Sequence, residues 1–194
     1  MSFFNIPTLY INLDKRPDRR KQIENELQGF KHVERINAVD TSSTTGGYYG
    51  CVLSHINALE TAKERGWDEV LICEDDFEFI NKDKYVSPAV EYDVCMLEGD
   101  IVDKSFIDWN YNKVQNGLHT GCYIVKKHYY DTLIDCFKES YDKLKENYIR
   151  DNYLDVYWNK LQVKDKFITP SLLIGRQRES YSNIKNKNIK RYLD

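Results

Sequence analysis

The stretch Val70-Leu71-Ile72-Cys73-Glu74-Asp75-Asp76-Phe77-Glu78-Phe79 decides how this chain of 194 residues is read. Val70 to Cys73 is an uninterrupted apolar run, the mark of a strand buried on both faces in the middle of a sheet. Three carboxylates follow where that strand should end. Adjacent acids repel one another and lose solvation when buried, so a cation or solvent has to receive them. The carboxyl end of a central strand is where open α/β sheets bind ligands. Oxygen-rich acid pairs suit Mn²⁺ or Mg²⁺, which in turn suit phosphate oxygens. The same residues also fit a solvated acidic turn, and a motif this short does not separate the two.

Outward from that stretch the chain alternates strand and helix. Thr8 to Leu13 reads as the first strand and Val33 to Val39 as the second. Asp18 to Gln28 reads as a helix, with Pro17 in its first turn and Ile23 and Leu27 on one face. Thr41 to Gly47 is a Ser/Thr/Gly-rich loop. The next helix runs from about Tyr49 to Arg65, buries Val52, Leu53, Ile56, Leu59 and Ala62, and ends at Gly66. Beyond the acids, Asp93 to Leu97 is a strand that ends in Glu98-Gly99-Asp100. Residues 103–118 show no clean period and read as loop with at most one short strand. His119 to Val125 is a strand, Tyr129 to Glu146 an amphipathic helix, and Asp151 to Leu161 a shorter helix. Phe167 to Ile174 is the last strand, and Pro170 within it points to a sheet edge. From Arg176 the chain is polar and basic. This order predicts one α/β domain, a three-layer sandwich around a mostly parallel, mixed sheet of Rossmann-like type.

Composition agrees and excludes other classes. At 41% hydrophobic and 30% charged residues, the chain is globular rather than disordered. A net charge of −3 argues against a general nucleic-acid binder, which needs basic stripes. No apolar run approaches the ~18 residues of a membrane span, and the first residues lack the basic start of a secretory signal. The five cysteines, Cys51, Cys73, Cys95, Cys122 and Cys136, stand singly. That spacing fits neither a disulfide framework nor a zinc site and predicts buried free thiols. A reducing, cytoplasmic compartment is expected, with at most peripheral membrane association.

YINLDKRPDRR, VERINAVD, GCVLSH opening a helix, LICEDDFEF and HTGCYIV follow one another, with TPSLLIGRQRESYSNI near the end. In this order and spacing the chain resembles glycosyltransferase family 25, which includes bacterial lipooligosaccharide and procollagen galactosyltransferases. The matches span roughly residues 8–184. The resemblance implies a GT-A fold, a UDP-sugar donor such as UDP-glucose or UDP-galactose, Mn²⁺ (or Mg²⁺), and inversion at the anomeric carbon. The acceptor would be a hydroxyl of a glycan, a lipid-linked sugar or a glycoprotein. Two departures stand out: Thr41 replaces the glycine that usually follows the Ala-Val-Asp motif, and many members are longer. The chain therefore reads as a minimal member or as one domain of a longer protein.

Glycosyl transfer builds negative charge on a departing diphosphate, which a divalent ion neutralises without proton transfer. Glu74 and Asp76 alternate along the chain and can face one site. By resemblance Asp76 is the metal ligand, with Glu74 a second ligand; Glu74 or Asp75 would meet the ribose or the ion's waters. Asn12, Leu13, Arg16, Arg19 and Arg20 follow the first strand on the crevice side, where arginine grips phosphate in a two-pronged bond. Arg19 and Arg20 also read as ordinary solvated helix charges. Asp40 fits either the uracil and ribose or the cap of its own turn. His55, inside the second helix, has an ordinary structural reading, and the resemblance brings it to the donor site; Cys51 and Leu53 read as core. Inversion needs a general base at the acceptor hydroxyl. Asp155 is the choice, with Asp151 one turn away on the same helix face or acting as its cap, and Asp100 in reserve. Thr120 and Gly121 match the family's acceptor-side turn, where a small residue lets backbone approach the sugar. Gln177 and Ser180 match the closing segment. GT-A enzymes often supply a third metal ligand there as His; none is present, so water or Gln177 would replace it and metal affinity should be weaker.

Two rival functions remain open. A nucleotidyltransferase shares the acid pair and the ion but would carry a Gly-rich loop after the first strand, and Asn12 to Arg20 contains no glycine. A non-catalytic nucleotide-sugar or glycan-binding domain would keep the fold and show no manganese-dependent UDP release.

Overall fold

A computed structural model describes residues 2–182 and 187–189. The chain runs β1 (Thr8–Asn12), α1 (Pro17–Glu26), β2 (Val33–Asn37), α2 (Gly47–Glu64), β3 (Glu69–Glu74), β4 (Phe77–Phe79) and β5 (Val94–Met96). It continues through β6 (Ile101–Phe106), β7 (Tyr111–Gly117), β8 (Cys122–Lys126), α3 (Tyr130–Glu146), α4 (Leu154–Tyr157), α5 (Asn159–Gln162) and β9 (Phe167–Pro170). The short strands β10 (Gly175–Gln177), β11 (Ser180–Ser182) and β12 (Lys187–Ile189) follow.

Eight strands form one sheet in the order β2-β1-β3-β8-β5-β9-β7-β6, in which β8 and β7 run against the other six. The sheet is thus mixed, with most strands in one direction, as the sequence predicts. Its inner strands alternate sides with period two. Leu9, Ile11, Val70, Ile72, Val94, Met96, Tyr123 and Val125 pack with α2 and α3. Tyr10, Leu71, Cys73, Cys95, Leu97, Cys122 and Ile124 pack on the other face with Ile23 and Leu27 after α1 and with Phe3, Phe30 and Phe77. Two cores on one sheet make the three layers. The chain passes from β1 to β2 on one side and then back to β3 on the other. That reversal opens a crevice at the carboxyl ends of β1 and β3, where Ile11 lies opposite Glu74.

Three sequence expectations need correction. Residues 103–118 are not loop: β6 and β7 form an antiparallel hairpin with register shifts near Asp103. Its β6 is exposed and charged, and β7 buries Tyr111, Val114 and Gly117, every third residue, so no period of two is visible. The strand placed at an edge because of Pro170 lies inside the sheet between β5 and β9's other neighbour, β7. Pro170 is tolerated there because it is the last residue of β9. Asp151 to Leu161 is not one helix but a 3₁₀ turn at Arg150–Asn152 followed by α4 and α5. The polar tail from Arg176 starts as strand β10, paired antiparallel with β4; apart from β12, its Lys185 to Arg191 run lies outside the described residues.

All five cysteines are free thiols. Cys73 and Cys122 face each other across β3 and β8 with their sulfurs 3.2 Å apart. Among the described residues, no helix is long and apolar enough to cross a membrane.

Candidate functional site at the ends of the parallel strands

An open cleft of about 760 Å³, mouth included, lies over the carboxyl ends of β1 and β3. Of the residues singled out in the sequence, Leu13, Arg16, Arg19, Asp40, His55, Glu74, Asp75, Asp76 and Gln177 all line it.

The three acids are separated by their partners. Glu74 closes β3, and its Oε1 accepts from Thr120 Oγ1 at 3.1 Å and stands 3.2 Å from His55 Nε2. Burial works to raise the Glu74 carboxyl, but the His55 and Thr120 contacts outweigh it and hold it below the usual carboxylate range. Asp75 accepts from Asn12 Nδ2 at 2.7 Å and from Arg19 Nη1 at 2.8 Å. Burial nonetheless lifts its carboxyl above the ordinary value. The same Arg19 nitrogen lies 3.0 Å from Asp76 Oδ2, so one buried guanidinium serves two buried acids. Burial, with the Glu74 charge beside it, pushes Asp76 up to about 7. The acid cluster carries more negative charge than Arg19 balances, and its donors are oxygens only. That set fits a hard divalent ion such as Mn²⁺ or Mg²⁺.

Arg19 reaches the acids because α1 starts directly after the β1 crevice and turns this residue inward, where it is only 8% exposed. Its neighbour Arg20 takes the ordinary helix role, in an exposed pair with Glu24 one turn on. Arg16 lines the cleft and pairs with Asp18 at 2.7 Å. Asn12 does not line the cleft; fully buried, it braces Asp75 and accepts from Arg35 Nε at 3.1 Å. Asp40 lines the cleft and binds the backbone and hydroxyl of Ser42 in its own turn. Hydrogen bonds from Lys15 and Ser42 hold its carboxyl at about 2.

Gln177 on β10 donates from Nε2 to both oxygens of Asp76 at 3.2 Å. The strand pairing that delivers it depends on Gly175, because a Cβ there would stand 2.2 Å from the Phe77 ring. Arg178 fastens the same segment: its backbone N–H donates to Asp76 O at 2.6 Å, and its guanidinium bonds Glu26 and Glu78.

The acceptor-side residues are not among those that line the cleft. Asp151 is exposed on the 3₁₀ turn, so it does not share a helix face with Asp155. Asp155 opens α4, half-buried; burial raises the Tyr48 hydroxyl and the Cys51 thiol, and the Asp155 charge adds to both. Asp100 is exposed, 3.5 Å from His119 Nε2. Gly121 is small for a reason the sequence did not disclose. A Cβ there would lie 2.4 Å from Oε2 of the buried Glu98, whose other oxygen lies 3.1 Å from His119 Nδ1. Cys51 packs against the core, as the sequence predicts, and also forms part of the cleft wall, which the sequence reading missed. It precedes His55 by one turn of α2, the spacing that could have revealed it.

No protein-family model matches the chain. No curated protein matches it either. The similarity to solved structures is one of fold. A glycosyltransferase involved in the glycosylation of the major capsid of PBCV-1 superposes with a TM-score of 0.58 at 10% identity, over 94% of this chain and 96% of that one. A197 from STIV gives 0.45 at 15% identity, over 97% and 96% of the two chains. The glycosyltransferase GlyE of Streptococcus pneumoniae TIGR4 gives 0.47 at 9%, over 85% of this chain and 45% of that one. The chain has a glycosyltransferase-like α/β fold.

Proposed function

We propose that the protein is a metal-dependent, inverting glycosyltransferase of the family 25 type, moving a hexose from a UDP-sugar to a hydroxyl of a glycan, lipid-linked sugar or glycoprotein. The observation that carries this reading is the buried acid cluster at the carboxyl end of β3, lining the crevice beside Arg16 and Arg19. Asp76, with Gln177 and Asp75 beside it, would hold a Mn²⁺ or Mg²⁺ ion. Such an ion, when bound, neutralises the charge that grows on a departing diphosphate. A half-turn of the Gln177 amide exchanges its oxygen for the nitrogen that now faces Asp76, so this side chain serves as donor or ligand. Arg16 and Arg19 supply fixed positive charge where phosphate oxygens would lie. Thr120 and His55 keep Glu74 ionised and immobile on the adjacent wall. Asp155, half-buried in the first turn of α4, accepts the proton of the acceptor hydroxyl.

The test is a panel of UDP-sugars with Mn²⁺, scored for UDP release with and without simple sugar acceptors. Release that requires both Mn²⁺ and the Asp76 carboxylate supports the reading. Binding of UDP-sugars without release would make the protein a binding domain instead.

A further inference from the structure

The wall of the cleft at Glu74 also carries a thiol and an imidazole, donors that Mn²⁺ or Mg²⁺ on a diphosphate does not favour. Cys51 and His55 lie one helical turn apart on α2 and therefore on one face. One ligand atom each from Cys51, His55 and Glu74 lie within 4.8 Å of one another. We propose that these three side chains form a second cation site, distinct from the Asp76 oxygens, that takes a borderline-soft divalent ion of the zinc class.

The donor chemistry selects the ion. Thiolate and imidazole with one carboxylate suit Zn²⁺ or its spectroscopic substitute Co²⁺, whereas Mg²⁺ and Mn²⁺ prefer oxygen. Three protein ligands with a fourth position turned to a cavity is the arrangement of an open zinc site. Here all three residues line the cleft, so the fourth position is available to water or to an anionic group. Bonds of about 2.0–2.3 Å place tetrahedral ligand atoms roughly 3.3–3.8 Å apart.

The supporting groups are already in position. A metal-bound histidine orients its second nitrogen against an acceptor. His55 Nδ1 lies 3.0 Å from the hydroxyl of buried Tyr123 and Nε2 3.2 Å from Glu74; with an ion on Nε2, the ring proton would sit on Nδ1 and Tyr123 would accept it. Thr120 fixes the Glu74 carboxylate by donating at 3.1 Å. Asp76 has hydrogen-bond and ion-pair partners of its own in Arg19 and Gln177. Coordination replaces the Cys51 S–H bond with an S–metal bond and releases one proton to solvent. The ion would tie α2 to β3 and offset the charge of Glu74 next to the acid cluster.

The test needs neither nucleotide nor sugar, so it is independent of the transfer reaction. The metal-stripped, reduced full chain is titrated with Co²⁺ and followed by absorbance. One equivalent should give visible ligand-field bands and a near-ultraviolet sulfur-to-cobalt band, erased by Zn²⁺ and untouched by Mg²⁺. Cys51→Ser should lose the sulfur band, while Asp76→Ala should keep it. Tyr123→Phe, which keeps all three ligands, should weaken Zn²⁺ binding by ~10–100-fold. Absence of the sulfur band in the parent chain overturns the proposal. So does a band that survives in Cys51→Ser or that Mg²⁺ erases.

Discussion

Replacing Arg19 by Met removes the countercharge of two buried acids while keeping most of the side-chain stem. Its Nη1 lies 2.8 Å from Asp75 Oδ1 and 3.0 Å from Asp76 Oδ2, and each of the three side chains is about nine-tenths buried. Removing one partner of a buried ion pair costs about 3–5 kcal/mol. Asp75 and Asp76 can relieve part of this by taking up protons, so the lower end, about 3 kcal/mol, is the expected loss. For a domain of this size each kcal/mol is worth ~2–4 °C, which gives a fall in melting temperature of roughly 6–12 °C. A cation that binds the acids should then matter more to the variant than to the parent, because Arg19 no longer competes for the same oxygens. At a hundred times its dissociation constant Mn²⁺ contributes about 2.7 kcal/mol, enough to recover most of the loss. The assay is thermal unfolding by circular dichroism with and without MnCl₂. Equal manganese shifts in parent and variant would refute the claim that Arg19 and a metal ion contest Asp76. A variant that melts within about a degree of the parent would refute the buried-pair energetics.

Other outcomes follow from the same geometry. Asp76→Ala should abolish manganese-dependent UDP release with an unchanged circular dichroism spectrum; full activity would end the assignment of Asp76 as the ligand. With no histidine in the closing segment and Arg19 on the acid pair, Mn²⁺ alone should bind more weakly than micromolar, and a calorimetric titration that finds sub-micromolar binding without nucleotide contradicts this. Gly121→Ala drives a methyl into the Glu98 carboxylate and should cost about 1–3 kcal/mol. Adding Glu98→Ala should restore part of that stability, and strict additivity of the two losses would show that the contact is not the cause. Asp155→Asn should lower kcat by ~10²–10⁴-fold with little change in donor KM, as loss of a general base does; the same profile in Asp100→Asn instead would move the base to the other rim.

What the sequence discloses and what it hides divide along a physical line. Val70 to Cys73 is apolar on both faces because β3 lies between two strands and two helical layers, so burial alone marks it as central. The acids after it mark the crevice because little except ligand chemistry tolerates three carboxylates there. α2 and α3 are legible for the same reason, one buried stripe at helical spacing. Where burial weakens, the reading fails. The β6–β7 hairpin is written in exposed residues and a shifted register, so its pairing lies in backbone hydrogen bonds that no side-chain pattern records. Pro170 misleads because the rule excluding proline from inner strands applies to strand interiors, and this proline is terminal. The site divides in the same way. That Asp75 and Asp76 belong to it is a local fact, written in adjacent letters. That Arg19 neutralises both, that Glu98 makes Gly121 obligatory, and that Cys51 turns to the cleft are facts about residues 23–57 positions apart, or about which way a helix faces. Each is decided only once the sheet order is fixed. The order β2-β1-β3 is therefore the step that turns a run of acids into a site: it brings α1, with Arg19, and α2, with Cys51 and His55, to the crevice that β3 closes.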